Sequence, residues 1–275
     1  MRLPKLVLVP AIPALLAACV VTSTSSTPSA PSAPPGNPPS NELRTASDQT
    51  DADRRAAVRM ELASLHFSRG QYETALDEIK LALLAKPELG AAFSLRGLIY
   101  ASMGEAALAD ESFDHALRIN PRDADAMHNR AWFLCQRNKF AEADRLFEQA
   151  LAMPQYRETQ RSLLAQGVCL ARAGKLEEAE RRLARAYELD PTNPTTALNL
   201  SEVLYRRAEY ERARFYIRRV NQREELSSAQ TLWLALRIEN RMGNRGGVEQ
   251  FGRQLRNRFP QAAETLAYNQ GRFDE

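Results

Sequence analysis

Cysteine and histidine are scarce, with three of each in 275 residues. Three cysteines cannot build the dense disulfide framework of a small secreted scaffold, and three scattered histidines argue against a multi-histidine metal site. Aromatic residues reach only 7%, while alanine, leucine, arginine and glutamate dominate, a balance that favours helices over sheets. No run of eighteen or more uninterrupted apolar residues occurs, so no spanning helix is expected in the mature chain. Charge of one sign is not in excess either: 37 basic and 34 acidic residues give +3. Without residues 1–18, Arg2 and Lys5 leave and no acid does, so 35 bases face 34 acids. That balance argues against nucleic acid as a partner. Nucleophile motifs, phosphate loops and zinc-ligand spacings are missing, and the glutamates are expected on solvated helix faces, without the burial a general acid needs. No enzyme, cofactor or small-molecule substrate is expected. What remains is an ordinary globular mix, 44% hydrophobic and 26% charged.

The first nineteen residues read as an address. Arg2 and Lys5 precede a short apolar core, Leu6 to Ala17, interrupted by Pro10 and Pro13, which is the form of an export signal rather than a span. The run Leu16-Ala17-Ala18-Cys19 resembles the bacterial lipobox, which implies a signal peptide over 1–18 and acylation of Cys19. The alternative is a chance cysteine after a simple signal peptide. Acyl chains contribute roughly 0.8 kcal/mol per buried methylene, so multiple chains anchor stably. Val20, where an acidic residue would favour inner-membrane retention, points to the periplasmic face of the outer membrane. In the segment 22–40, fifteen of nineteen residues are Ser, Thr or Pro, which leaves nothing to bury. Residues 19–52 are expected to form a tether, with a reach between roughly 30 and 100 Å according to its stiffness.

Beyond the tether the chain repeats. Gly97, Gly104, Ala109, Phe113, Ala116 and Pro121 follow Ala63, Gly70, Ala75, Ile79, Ala82 and Pro87 in register. The anchor alanines Ala75, Ala109, Ala143, Ala179 and Ala213 are spaced by 34, 34, 36 and 34 residues. This pattern resembles the tetratricopeptide repeat (TPR), an antiparallel helix pair of about 34 residues. Six units are expected over residues 53–260, near 56–89, 90–123, 124–159, 160–193, 194–228 and 229–260, with 261–275 as a capping tail. The sixth is degenerate, with Val248 and Gly252 where alanine and a large apolar residue are expected. The expected fold is an all-α, right-handed superhelix in which each pair buries its apolar stripe only against its neighbours. Two extra residues near Met153-Pro154-Gln155-Tyr156 lengthen the third junction, as a tolerated loop insertion or as a recognition feature.

Binding in such a solenoid belongs to the concave face, lined by the first helix of each pair. The TPR pattern places Met60, Phe67, Leu98, His128, Trp132, Leu164, Val168, Leu198, Tyr205, Trp233 and Arg237 at or beside that groove; inter-repeat core is the alternative for each. The set is mostly apolar, and Asn129 and Asn199 have no lysines beside them to form a carboxylate clamp. It suits a protein segment with hydrophobic anchors. Cys135 and Cys169 lie one repeat apart on consecutive first helices, so a disulfide or two buried free thiols would fit. The arginines of the fifth unit, Arg206, Arg207, Arg212, Arg214, Arg218, Arg219 and Arg223, are interleaved with glutamates, as a paired solvated face or a docking patch for an acidic surface.

The segment His128-Asn129-Arg130-Ala131-Trp132-Phe133-Leu134-Cys135, and Leu232 to Ile238 followed by Gln254 to Pro260, are similar to the type IV pilus biogenesis and stability lipoprotein family, the pilotins. Arg130 and Ala131 stand where that family has tyrosine and glycine, and the tether is longer. The resemblance implies an outer-membrane lipoprotein of six TPR units that binds the pilus secretin and supports its multimer. Trp132 and Trp233 are the expected anchors, since buried indoles often dominate interfaces. A lipid-anchored TPR adaptor for peptidoglycan hydrolases or for outer-membrane protein assembly is the alternative.

Overall fold

The structure, a computed structural model, describes residues 50–273. The expected signal peptide, the acylation site Cys19 and the Ser/Thr/Pro-rich segment 22–40 lie outside the described residues. Within them the chain forms helices and turns, with no strand among the described residues. Six antiparallel pairs follow one another: α1 (Asp51–Ser68) with α2 (Tyr72–Ala85), α3 (Gly90–Met103) with α4 (Ala106–Ile119), and α5 (Ala124–Gln136) with α6 (Phe140–Leu151). Then come α7 (Thr159–Arg172) with α8 (Leu176–Leu189), α9 (Pro194–Arg206) with α10 (Tyr210–Asn221), and α11 (Ala229–Arg241) with α12 (Arg245–Arg258). A short α13 (Ala263–Asn269) closes the series against α11 and α12.

One boundary differs from the expected ones. Helix α1 begins at Asp51, inside the segment 19–52 assigned to the tether. Thr50 caps it, accepting from the Asp53 N–H at 3.1 Å while the Asp53 carboxylate turns back to Thr50, so the helix starts before the apolar stripe does. Lys86 Nζ at 2.7 Å and Thr50 hold the Asp53 carboxyl at a pKa of about 2. At the other end, the tail 261–275 contains α13, packed against α11 and α12.

The repeat has a physical basis in size matching between paired helices. Ala75, Ala109, Ala143, Ala179 and Ala213 are fully buried where second helices approach the first. Two registers over, the residue on the first helix shrinks as its partner grows. A Cβ on Gly97 would come within 2.7 Å of the Phe113 ring, and one on Gly167 within 2.5 Å of Leu183. Each fully buried large side chain, such as Phe113 or Phe147, contributes roughly 1.5–3 kcal/mol. The turn inside every pair needs one left-handed residue. Gly70, Gly104, Gly174 and Gly243 supply it at φ of 73°, 84°, 80° and 71°, whereas Asn138 and Ala208 occupy the same place at 62° and 60°.

Candidate functional site

Each first helix touches the next first helix, α1 to α3 through to α9 to α11, and each second helix touches its partner and the following first helix. Second helices make no comparable contact with one another. The first helices are therefore crowded on the inside of a bend, and their outer rows line its concave face.

On that face Leu98, Trp132 and Val168 occupy one row, 34 and 36 residues apart, and all three are partly exposed. Leu164 and Leu198 stand one helical turn earlier on their helices and are partly exposed too. Together they form an apolar strip over units two to five. The strip becomes polar at its C-terminal end, where the same row continues as Glu202 and Arg237. Burial raises the pKa of Glu202, with Arg237 and Arg206 opposing that shift. Glu202 was not among the expected groove residues, although its spacing of 34 from Val168 placed it there.

Met60 stands in the Leu164–Leu198 row in the first unit and is partly exposed like them. The remaining expected residues have other positions. Phe67 packs in the first unit with Tyr72, the rings 6.1 Å apart. His128 is buried and belongs to the core. Its Nδ1 lies 2.7 Å from Ser162 Oγ, its ring meets Phe147 edge-on, and burial with the nearby Arg161 lowers its pKa to about 3. Ser162 also meets the Tyr156 hydroxyl at 2.7 Å and is inaccessible to solvent, so this serine–histidine pair cannot reach a substrate. Tyr205 is buried beneath Arg237, whose Cζ stands 4.6 Å from the ring centroid. Trp233 is 9% exposed because Phe273, from the C-terminal tail, packs on it with ring centroids 6.2 Å apart.

Cys135 on α5 and Cys169 on α7 are joined through their sulfurs, with Cα atoms 5.8 Å apart, and both are buried. The insertion at the third junction lines an open cleft of about 670 Å³ with Arg122, Asp125, Met153, Pro154, Tyr156 and Arg157 among its walls. Burial raises the Asp125 pKa there, with Asp123 and Glu158 adding to the shift, while Tyr156 points inward to Ser162 and is raised by burial.

The arginines of the fifth unit are largely internal ties. Glu239, expected with the other glutamates on a solvated face, is instead buried at 1% exposure. Arg214 Nε and Arg218 Nη2 donate to its Oε1 at 2.9 and 3.1 Å, and Asn244 Nδ2 donates to its Oε2 at 2.7 Å. Arg212 reaches Glu180 at 2.6 Å and Arg207 pairs with both Glu180 and Glu209, which links units four and five. Arg219, over the exposed Phe215 ring at 5.1 Å, faces solvent. Among the described residues no cluster of histidine, cysteine or carboxylates is placed to hold a metal, and no helix is long and apolar enough to cross a membrane.

Comparison with known proteins gives the same architecture. Profiles of the tetratricopeptide repeat match residues 91–123, 124–155 and 170–232. The type IV pilus assembly protein PilF of Pseudomonas aeruginosa is 26% identical over 224 residues, 82% of this chain and 87% of that protein. The crystal structure of PilW, a widely conserved type IV pilus biogenesis factor, has a TM-score of 0.72 at 30% identity, covering 77% of this chain and 97% of that one. The structure of Pseudomonas aeruginosa PilF has a TM-score of 0.69 at 23% identity, over 81% of this chain and 100% of that one, and shares the fold. The protein described here belongs to the type IV pilus biogenesis family of tetratricopeptide-repeat proteins.

Proposed function

We propose that this protein is a pilotin: an outer-membrane lipoprotein, acylated at Cys19, that captures a segment of the pilus secretin in its concave groove and promotes the secretin's localisation and assembly into a multimer. The observation that carries this reading is the apolar strip Leu98, Trp132, Leu164, Val168 and Leu198, on a scaffold shared with a type IV pilus biogenesis factor. Partly exposed leucine, valine and tryptophan in a concave row give a client apolar pockets for alternate anchors. The acyl chains set the location and residues 19–50 set the reach. The role is protein binding, without catalysis.

Deleting the gene and following the secretin on unboiled gels, alongside twitching motility, tests the reading. High-mass secretin should disappear and return with the wild-type gene but not with Cys19→Ala. Intact multimers and normal motility in the deletion strain would remove the pilotin role.

A further inference from the structure

The C-terminal end of the groove is already occupied, by the chain itself. Helix α13 ends at Asn269, and Gly271 at φ 68° reverses the backbone, its N–H bonding the Tyr268 carbonyl and the Arg272 N–H the Ala267 carbonyl, both at 3.0 Å. The reversal brings Phe273 back to α11. Its ring packs on Trp233, and its carbonyl accepts from Arg237 Nε at 3.2 Å. Trp233 and Arg237 stand in the same rows as Leu198 and Glu202, each 35 residues on. The tail therefore lies on the last rung of the surface assigned above to a client.

We propose that this rung is a recognition site for an aromatic side chain in an extended segment, that Gly271–Phe273 fills it as a strap, and that a client segment competes with the strap for it. The proposal rests on the reading that the groove holds a client, and names the chemistry of one end of it. The contacts are ones a peptide can supply in trans: an aromatic ring for Trp233 and a main-chain carbonyl for Arg237. Arg237 is preset for that bond, since the Tyr205 face beneath it holds the guanidinium in place. The strap follows a glycine hinge and meets α11 through the Arg237 hydrogen bond and the Trp233 ring, with Phe273 also 6.4 Å from the Tyr268 ring. By contrast, Tyr268 of α13 is wedged against the Gly252 backbone and keeps the helix docked when the strap lifts. A tethered competitor lowers apparent affinity by the fraction of time the site is free.

A fluorescein-labelled peptide with the sequence Asn269 to Glu275 is the probe, titrated by anisotropy against the mature protein. The Phe273→Ala protein should bind it at least about tenfold more tightly than wild type, and adding Arg237→Gln should abolish that gain. A peptide carrying alanine in place of the phenylalanine should not bind. Equal affinity of wild type and Phe273→Ala overturns the proposal, as does a gain that survives Arg237→Gln. A strap that only caps the fold predicts a lower melting temperature for Phe273→Ala with no gain in peptide binding, and that result also overturns it. The assay contains no secretin, so a negative secretin phenotype leaves this site standing, and a negative peptide result removes it whatever the secretin does.

Discussion

The Tyr268 ring lies against the backbone of Gly252, so closely that a Cβ on the glycine would sit 2.0 Å from the ring Cζ. The sixth repeat has a glycine in place of a large apolar residue because α13 fills the space from outside. Arg256 over the Tyr268 ring, Cζ to centroid 4.8 Å, holds it there. Gly252→Ala should expel the tyrosine at a cost of about 1–3 kcal/mol. Urea unfolding gives the loss, and hydrogen exchange should show α13 opening first; an unchanged midpoint would contradict the wedge.

Ala208 takes the left-handed turn position that glycine fills in four other units. A non-glycine residue there costs about 1 kcal/mol, so Ala208→Gly should raise stability by about that amount, less the extra freedom of an unfolded glycine. The same substitution at Ala173, the C-cap of α7 with a right-handed backbone at φ −72°, should destabilise through the extra freedom of the unfolded glycine. Thermal melts of the two variants should shift in opposite directions.

Burial keeps His128 neutral in the fold, with a pKa of about 3 against an unfolded value of 6.5. Between those values the unfolded chain binds the extra proton, so stability falls as pH drops from 6.5 towards 3, by a few kcal/mol at most. His128→Leu, which copies Leu164 and Leu198 in the same row, should flatten this part of the profile. Melting temperatures from pH 7 to 4 for both proteins test it; parallel curves would show that other groups control the acid limb.

Trp132 projects from the middle of the apolar strip and is partly exposed, while its neighbours Phe133 and Leu134 are buried. Trp132→Ala should leave the fold intact by circular dichroism and weaken capture of the secretin segment at least about tenfold, as buried indoles dominate interfaces. Undiminished capture would make the indole part of the core alone.

The Cys135–Cys169 link ties α5 to α7 across one repeat. By the chain-entropy account, a bridge of this loop length stabilises on the order of 3–4 kcal/mol. Reduction, or Cys135→Ser with Cys169→Ser, should lower the urea midpoint without loss of helix signal. Equal free-thiol counts in the denatured mature protein with and without reductant would show that the thiols are free.

The spacing of alanines and prolines was enough to read helix pairs, because each unit solves the same local problem of close approach and a sharp stop. Gly70, Gly104 and Gly174 likewise announce a left-handed turn wherever they recur. Apolar periodicity does not mark the start of α1, because its Thr50–Asp53 capping box precedes the first buried residue, Ala56. Glu202 is legible in the way the glycines are, since it keeps the register of Val168 at a spacing of 34 and of Arg237 at 35.

By itself, then, the sequence determined the all-α repeat, its register and which helix of each pair faces inward, since those depend on residues a few turns apart in one chain segment. The tertiary structure decided what each inward position does. Leu164 stays partly exposed where His128 is sealed against Phe147 and Ser162, and Leu198 stays partly exposed where Trp233 lies under Phe273. Glu239, one glutamate among many in sequence, is buried by two arginines of the neighbouring unit. Burial is set by what the adjacent unit and the returning tail place overhead, and a repeat pattern records the shared spacing while leaving those individual neighbours out.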